Sequence, residues 1–191
     1  MGAVTRTPAD LEWANFADDA PWEMDRDNIA WDRVAVVLRE RALLVIRRSQ
    51  HVVAPGAYCF PGGGIEPGED EISALHRELR EEIGLVDARP GGHVWSRTHL
   101  FRMTDPSGHE WDGQSENVYL VRTERFDPVP HLNNEELARE NLMSHRWWSV
   151  DEIESHDAEN EHFAPRGFAG ILRAVITDGV PDEPFVLFQE D

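Results

Sequence analysis

Cysteine is nearly absent: Cys59 is the single one in 191 residues. A disulfide framework and a cysteine-built structural zinc site are therefore excluded, and a reducing cytoplasm is the expected compartment. Cys59 sits between Tyr58 and Phe60 and reads as a core residue rather than a nucleophile. Long hydrophobic runs are missing too. No stretch approaches the ~18 consecutive apolar residues of a membrane span, so no membrane partner is expected. The opening MGAVTRTPADLEWANFADDAPW lacks the basic start and apolar centre of a secretory signal. Gly2 is followed by Arg6 where a myristoylation signal calls for Ser or Thr. Positive charge is scarce: 18 Lys and Arg stand against 37 Asp and Glu, a net charge of −19. That argues against a nucleic-acid partner held by a broad basic surface. It leaves room for a phosphorylated small molecule whose charge is offset by metal ions.

The apolar fraction of 40% is enough for one packed core. Residues 1–30 are acidic and irregular apart from Trp13, Phe16 and Trp22, with Trp31 just beyond them. They read as an N-terminal arm lying across the domain, or across a partner subunit in a homodimer. Residues 31–191 form the domain. Arg33–Arg39 and Ala42–Arg47 are β-branched and apolar around Glu40-Arg41, which predicts a hairpin. Tyr58-Cys59-Phe60 is a short strand before Pro61 and three glycines. Ile72, Leu75, Leu79 and Ile83 recur at three and four residues, which predicts a helix over Asp70–Ile83, closed by Gly84.

Val94–Phe101 and Asn117–Thr123 predict a second strand pair. Residues 102–116 are then a long polar loop with a type I turn at Asp105-Pro106-Ser107-Gly108. Glu135–Met143 is a short helix or turn, and Arg146-Trp147-Trp148 a strand. Ser149 and Glu152 form a capping box that opens a helix. Gly167–Asp178 is an amphipathic helix and Phe185–Phe188 a last strand. This order predicts a mixed sheet between helices rather than a regular parallel wheel.

The chemistry is concentrated in residues 62–85, GGGIEPGEDEISALHRELREEIGL. On a helix, Glu81 and Glu82 lie three and four residues past Glu78, so all three carboxylates share about 100° of arc. Alone they repel, and a bound cation reverses the sign; clustered carboxylate oxygens suit hard ions such as Mg2+ or Mn2+. The glycine turn just before them lets backbone approach a ligand closely. Arg77 stands beside the cluster, and Glu69 is suited to pair with it and tie the loop to the helix. An acidic run of this kind is more often a solvated helix face; its position directly after the glycine turn is what favours a site.

From Gly63 to Leu85 the chain resembles the Nudix box at every fixed position. Gly63 is followed by five residues and Glu69, then seven residues and Arg77-Glu78-Leu79, then Arg80, Glu81-Glu82, one residue and Gly84-Leu85. The likeness extends to Leu43–Arg48, Pro55-Gly56, Phe60-Pro61-Gly62-Gly63 and Arg146-Trp147-Trp148 before Asp151-Glu152-Ile153. It implies a Nudix-type α/β/α sandwich and hydrolysis of a diphosphate bond in a nucleoside diphosphate linked to another group. Glu78, Glu81 and Glu82 would hold Mg2+ or Mn2+, with the Gly62 carbonyl completing a site. Arg77 would orient the helix against Glu69, and Gly63, Glu69 and Gly84 would support the box. A further acidic residue outside the box often binds metal or acts as base; Glu140 is the first candidate and Glu136 the second, Glu136 also as a substrate contact. Glu78 or Glu82 is the expected base, with Glu81 a ligand only.

Weaker signals surround this centre. Arg47 and Arg48 end a strand near the glycine turn and are candidates to hold a phosphate. Trp95, Trp111 and Trp148 could stack on a base, although core packing is the commoner role. The nine histidines show no metal-ligand spacing. Two rival readings stand against the hydrolase. An allylic diphosphate isomerase needs a cysteine motif that Cys59 does not provide. A catalytically silent nucleotide sensor goes with a degenerate box, and this box is intact. Substrate identity rests in residues 49–57, 102–116 and 127–145, which the box does not specify.

Overall fold

The computed structural model describes residues 4–6, 29–39, 42–48, 56–104, 108–124, 126–158, 163–165 and 168–190. Its strands are Val4–Arg6 (β1), Ile29–Arg39 (β2), Ala42–Arg48 (β3), Tyr58–Cys59 (β4), Gly62–Gly64 (β5), Pro90–Thr104 (β6), Glu110–Arg122 (β7), Leu142–Ser149 (β8) and Phe185–Glu190 (β9). Its helices are Glu71–Ile83 (α1), Asn134–Arg139 (α2), Val150–Ala158 (α3) and Phe168–Asp178 (α4). The sheet runs β1-β9-β6-β7-β2-β3-β4, with β5 joined to β2 and β8 to β3. It is mixed: β2 with β7 and β6 with β9 are parallel, and the other pairs antiparallel.

Strand side chains alternate between faces, and the two faces of this sheet build two cores. Val37 joins Leu44, Ile46 and Val121 under Leu75, Leu79 and Ile83 of α1. The next residue, Leu38, joins Val118, Leu120 and Trp148 against Ile153 of α3 and Phe168, Leu172 and Val175 of α4. The sheet thus lies between helices, as the α/β/α expectation requires. Leu75, Leu79 and Ile83 are fully buried, each contributing about 1.5–3 kcal/mol of transfer free energy.

The structure corrects three local readings. Ile72 is 39% exposed and does not belong to the α1 stripe. Stepping back four residues from Leu75 reaches Glu71, and it is Glu71 that meets the sheet, accepting from Asn117 Nδ2 at 3.0 Å and from the Tyr119 hydroxyl at 2.6 Å. The loop at 102–116 is much shorter than expected, because β6 continues to Thr104 and β7 starts at Glu110. Ser115 and Glu116, read as loop, lie in β7 and face polar residues of β6: Ser115 bonds Thr98 at 2.9 Å and Glu116 pairs its charge with Arg97 at 2.8 Å, while Ser96 donates to Asn117 at 2.8 Å. The turn proposed at 105–108 lies, in its residues 105–107, outside the described residues. Lastly, β8 begins at Leu142 rather than Arg146, because Asn141 takes a φ of 60° and turns the chain out of α2 directly into the strand.

Caps form where the residue types called for them. Asp70 accepts from the backbone N–H groups of Ile72 and Ser73, both at 3.0 Å, and Gly84 closes α1 at φ 73°. Ser149 and Glu152 exchange their box hydrogen bonds at 3.2 and 2.8 Å. At the chain start, Val4–Arg6 pairs with Val186–Phe188 of β9, so these residues lie on the edge of their own sheet; Trp13, Phe16 and Trp22 fall outside the described residues. No helix among the described residues is long and apolar enough to cross a membrane.

Candidate active site

The site is built where β5 meets α1. Gly62, Gly63 and Gly64 pair with Val34, Arg33 and Asp32 of β2, which fixes the glycine turn to the middle of the sheet. Gly62 has a φ of 139°, a conformation that disfavours a side chain. At Gly63 the constraint is space: a Cβ there would lie 2.6 Å from Glu78 Oε1. Glycine is what allows the Glu78 carboxylate to rest against backbone.

Arg77 organises the charges. Its Nε donates to Glu69 Oε1 at 3.1 Å and its Nη2 to Glu69 Oε2 at 3.0 Å and to the Gly64 carbonyl at 2.8 Å. Its Nη1 donates to Glu78 Oε1 at 2.7 Å and reaches Glu81 Oε2 at 3.4 Å. The hydrogen bond from Arg77 holds Glu69 below the usual carboxylate range, and Glu69 in turn holds Arg77 well above its ordinary value. Glu78 moves the other way, to about 7. Burial is the main cause; Arg77 opposes it, and the charges of Glu81 and Glu140 add to it.

The three box carboxylates therefore have different surroundings. Glu78 and Glu81 converge on one cationic nitrogen. Glu82 is 6% exposed and turns to the loop, accepting the backbone N–H of Gly62 at 2.8 Å. Among the described residues no three His, Cys, Asp or Glu side chains already surround one point as metal ligands. The donor set nevertheless suits a hard cation: two carboxylates already share the positive charge of Arg77, and the neighbouring glycine backbone adds oxygens of the right kind.

Glu140 is exposed at the end of α2, and its charge reaches Glu78. Glu136 is occupied elsewhere. Its Oε2 accepts the Asn133 backbone N–H at 2.8 Å, while Asn133 Oδ1 accepts from the Glu135 and Glu136 N–H groups, so Glu136 closes the cap of its own helix. Arg47 and Arg48 lie on β3, in register with Ser144 and Leu142 of β8, with a bulge between them; their side chains fall outside the described residues. Trp95 and Trp148 are fully buried and belong to the core, so neither is available to stack on a base. Trp111 is half-buried with its ring against His109.

Two groupings were not anticipated from sequence. One is the anchor of Glu71 on Tyr119 and Asn117. The other is the segment 126–133, whose backbone grips the end of α1: Val129 N–H donates to the Ile83 carbonyl at 3.2 Å, and the His131 and Leu132 N–H groups both donate to the Glu81 carbonyl, at 3.0 and 3.2 Å. Pro128 and Pro130 were the only local hint, since they stiffen the segment without specifying what it touches.

Known proteins resemble this chain in sequence and in fold. The sequence model described as the NUDIX domain matches residues 30–167. Nudix hydrolase 25 of Arabidopsis thaliana is 37% identical over 109 residues, 52% of this chain and 61% of that protein. An RNA pyrophosphohydrolase of Helicobacter pylori is 33% identical over 91 residues, 47% of this chain and 55% of that protein. The match thus spans little more than half the length of these relatives. Among solved structures, the NUDIX domain of Shewanella oneidensis NrtR, complexed with ADP ribose, superimposes with a TM-score of 0.58 at 16% identity, covering 87% of this chain and 99% of that domain. At that identity the likeness concerns the fold.

Proposed function

This chain belongs to the Nudix family, and from that membership we propose that it hydrolyses a diphosphate bond in a nucleoside diphosphate linked to another moiety. The observation that carries the reading is the convergence of Glu78 and Glu81 on the Arg77 cation beside a glycine turn. Glu78, Glu81 and Glu82 would hold Mg2+ or Mn2+, with Glu140 and the Gly62 carbonyl as further oxygens. When bound, such an ion offsets the diphosphate charge that otherwise repels a nucleophile. The Arg77–Glu69 pair keeps helix and loop in register, and Gly63 leaves room for the Glu78 carboxylate.

Hydrolysis forms a bond from water oxygen to phosphorus and breaks the bridging P–O bond; the proton of the water passes to a carboxylate. We assign that acceptor to Glu78 rather than Glu82, because Glu82 Oε2 is already committed to the Gly62 N–H and buried. The relatives' names speak for phosphoanhydride substrates, and the low positive charge of this chain for a small-molecule nucleotide. The single cysteine is in keeping with a reducing cytoplasm. Residues 1–30 are read as an N-terminal arm on the domain of residues 31–191, whose sheet it joins at Val4–Arg6.

The test is a hydrolysis screen with Mg2+ and with Mn2+ over dinucleoside polyphosphates, ADP-ribose, nucleotide sugars, and ordinary and oxidised nucleoside triphosphates. Cleavage of at least one class, abolished by chelation and reduced ~100-fold or more by Glu81→Gln, is the expected result. No cleavage of any class, or cleavage indifferent to Glu81→Gln and chelation, overturns the reading.

A further inference from the structure

Trp95 of β6 and Val118 of β7 stand in register, and both belong to the core under α3 and α4. Two positions away, on the same face of each strand, the sheet turns polar: Arg97 stands opposite Glu116. Their side chains are only 9% and 7% exposed. Arg97 Nε and Glu116 Oε1 lie 2.8 Å apart, shielded from solvent, yet neither atom makes a hydrogen bond of acceptable geometry. Among the described residues Arg97 donates to no other group, and the buried Trp95 Nε1 beside it has no acceptor. A guanidinium and a carboxylate taken out of water need good geometry and further hydrogen bonds to offset their desolvation. The described protein supplies neither, so packing alone does not account for the pair.

The position of the pair connects it to the carboxylate site. Gly64, whose carbonyl accepts from Arg77, is in register with Asp32 of β2; Asp32 is in register with Glu116, and Glu116 with Arg97. These four positions form one row across the sheet. Strand spacing puts Glu116 about 10 Å and Arg97 about 14 Å from the glycine turn, a span that a ribose bridges between a diphosphate and its base. The row faces α3 and α4, while Glu78 lies on the α1 side. At its outer end stands β5, which as Gly62-Gly63-Gly64 raises no side chain between the two faces. The charges argue against a phosphate here, because the carboxylate cancels the guanidinium. A donor beside an acceptor instead matches the edge of a neutral nucleobase, which presents the complementary acceptor and donor side by side. The rings of His99 and Phe101, 4.5 Å apart, follow on the same strand.

We propose that Arg97 and Glu116 form the base-reading element of this protein: the guanidinium donates to an acceptor on the base edge, and the carboxylate accepts from the neighbouring base N–H. Substrate selection is then made on β6 and β7, away from the carboxylates that act on the diphosphate. The inference rests on the reading of the chain as a hydrolase of nucleotide-type diphosphates, and the experiment separates the two. Removing one member of a buried pair strands the other charge, so the variant of choice is the double substitution Arg97→Met with Glu116→Leu, which removes both charges at similar volume.

Binding is measured first, by calorimetric titration in the presence of a chelator, with the four common nucleoside 5′-monophosphates and with ribose 5-phosphate, which lacks a base. Wild type is expected to bind at least one nucleotide ~10-fold or more tighter than ribose 5-phosphate, and the double variant to lose about 10–100-fold of that preference. Neither result depends on hydrolysis. In a wild type active on a nucleotide substrate, the double variant raises KM by a similar ~10–100-fold and leaves kcat within about threefold, the mark of lost ground-state binding. An inactive wild type overturns the hydrolase reading, and the binding ratio then judges the base-reading pair alone. No preference for any nucleotide in wild type, or a preference undiminished in the double variant, overturns the proposal and leaves Arg97–Glu116 as a structural ion pair. If the double variant does not fold, Glu116→Gln replaces it. That change keeps the size of the side chain and adds a donor where wild type only accepts, so the order of preference among the four bases changes; an unchanged order overturns the proposal.

Discussion

Arg77 grips Glu69 through two nitrogens, Nε at 3.1 Å and Nη2 at 3.0 Å, while its third nitrogen faces Glu78 at 2.7 Å. One planar guanidinium thus ties the loop after the glycine turn to the carboxylate face. A lysine cannot reproduce a fork of this kind. Arg77→Lys keeps the charge and loses the geometry, so hydrolysis falls on the order of 10–100-fold while the far-ultraviolet circular dichroism spectrum stays as in wild type. Undiminished turnover in Arg77→Lys would show that charge alone is required at this position.

Gly63→Ala tests the close approach of backbone and carboxylate. The added methyl lies 2.6 Å from Glu78 Oε1, and the carboxylate has to swing away. Turnover is expected to fall at least ~10-fold with the fold intact. Because the obstacle is the Cβ itself, Gly63→Ser should be no better than Gly63→Ala; activity retained by either removes the steric argument.

The pH dependence of the metal-free protein follows from Glu78. Its carboxyl is raised from the ordinary 4.5 to about 7, chiefly by burial. Between those values the folded chain holds a proton that the unfolded chain has released, so the stability contributed by this group declines as pH rises through the window. In the presence of a chelator, the Tm of wild type should fall relative to Glu78→Gln between about pH 5 and pH 7.5. Parallel Tm curves for the two proteins would mean that Glu78 titrates normally.

The Glu71 anchor is a stability feature. The Tyr119 hydroxyl donates to Glu71 Oε1 at 2.6 Å, and Asn117 Nδ2 donates to the same oxygen at 3.0 Å. Tyr119→Phe removes one donor and leaves the other, which costs about 1–2 kcal/mol by denaturant titration. Glu71→Leu, which replaces a buried polar contact with an apolar one, leaves two donors without their acceptor and should cost more. Equal stability of all three proteins would indicate that the anchor is incidental.

Much of the candidate site was legible in the chain because it depends on short-range geometry. Glu78, Glu81 and Glu82 share one helical arc whatever surrounds the helix, and Asp70 and Gly84 mark its ends through their own backbone preferences. Glu69 and Arg77 are eight positions apart, across a turn that their pairing itself closes. The polar strand residues of 102–116 were harder: Ser115 and Glu116 look like loop until their partners Thr98 and Arg97 on the neighbouring strand are known.

The sequence by itself determined the family likeness, the helix that carries the carboxylates and the glycine turn before it, since these rest on periodicity, capping and residue size within some 23 consecutive positions. Only the tertiary structure decided how the carboxylates divide. Glu82 turns to Gly62 because β5 is paired to β2 above it. Glu78 is raised because burial removes the water that would stabilise its charge. Glu136 serves a cap, while Glu140, four residues on, is exposed and makes no such bond to Asn133. Gly84 requires not only a left-handed backbone but an empty space, because a segment some 45 residues later passes over it. Such assignments depend on contacts between residues distant along the chain, and no local pattern encodes them.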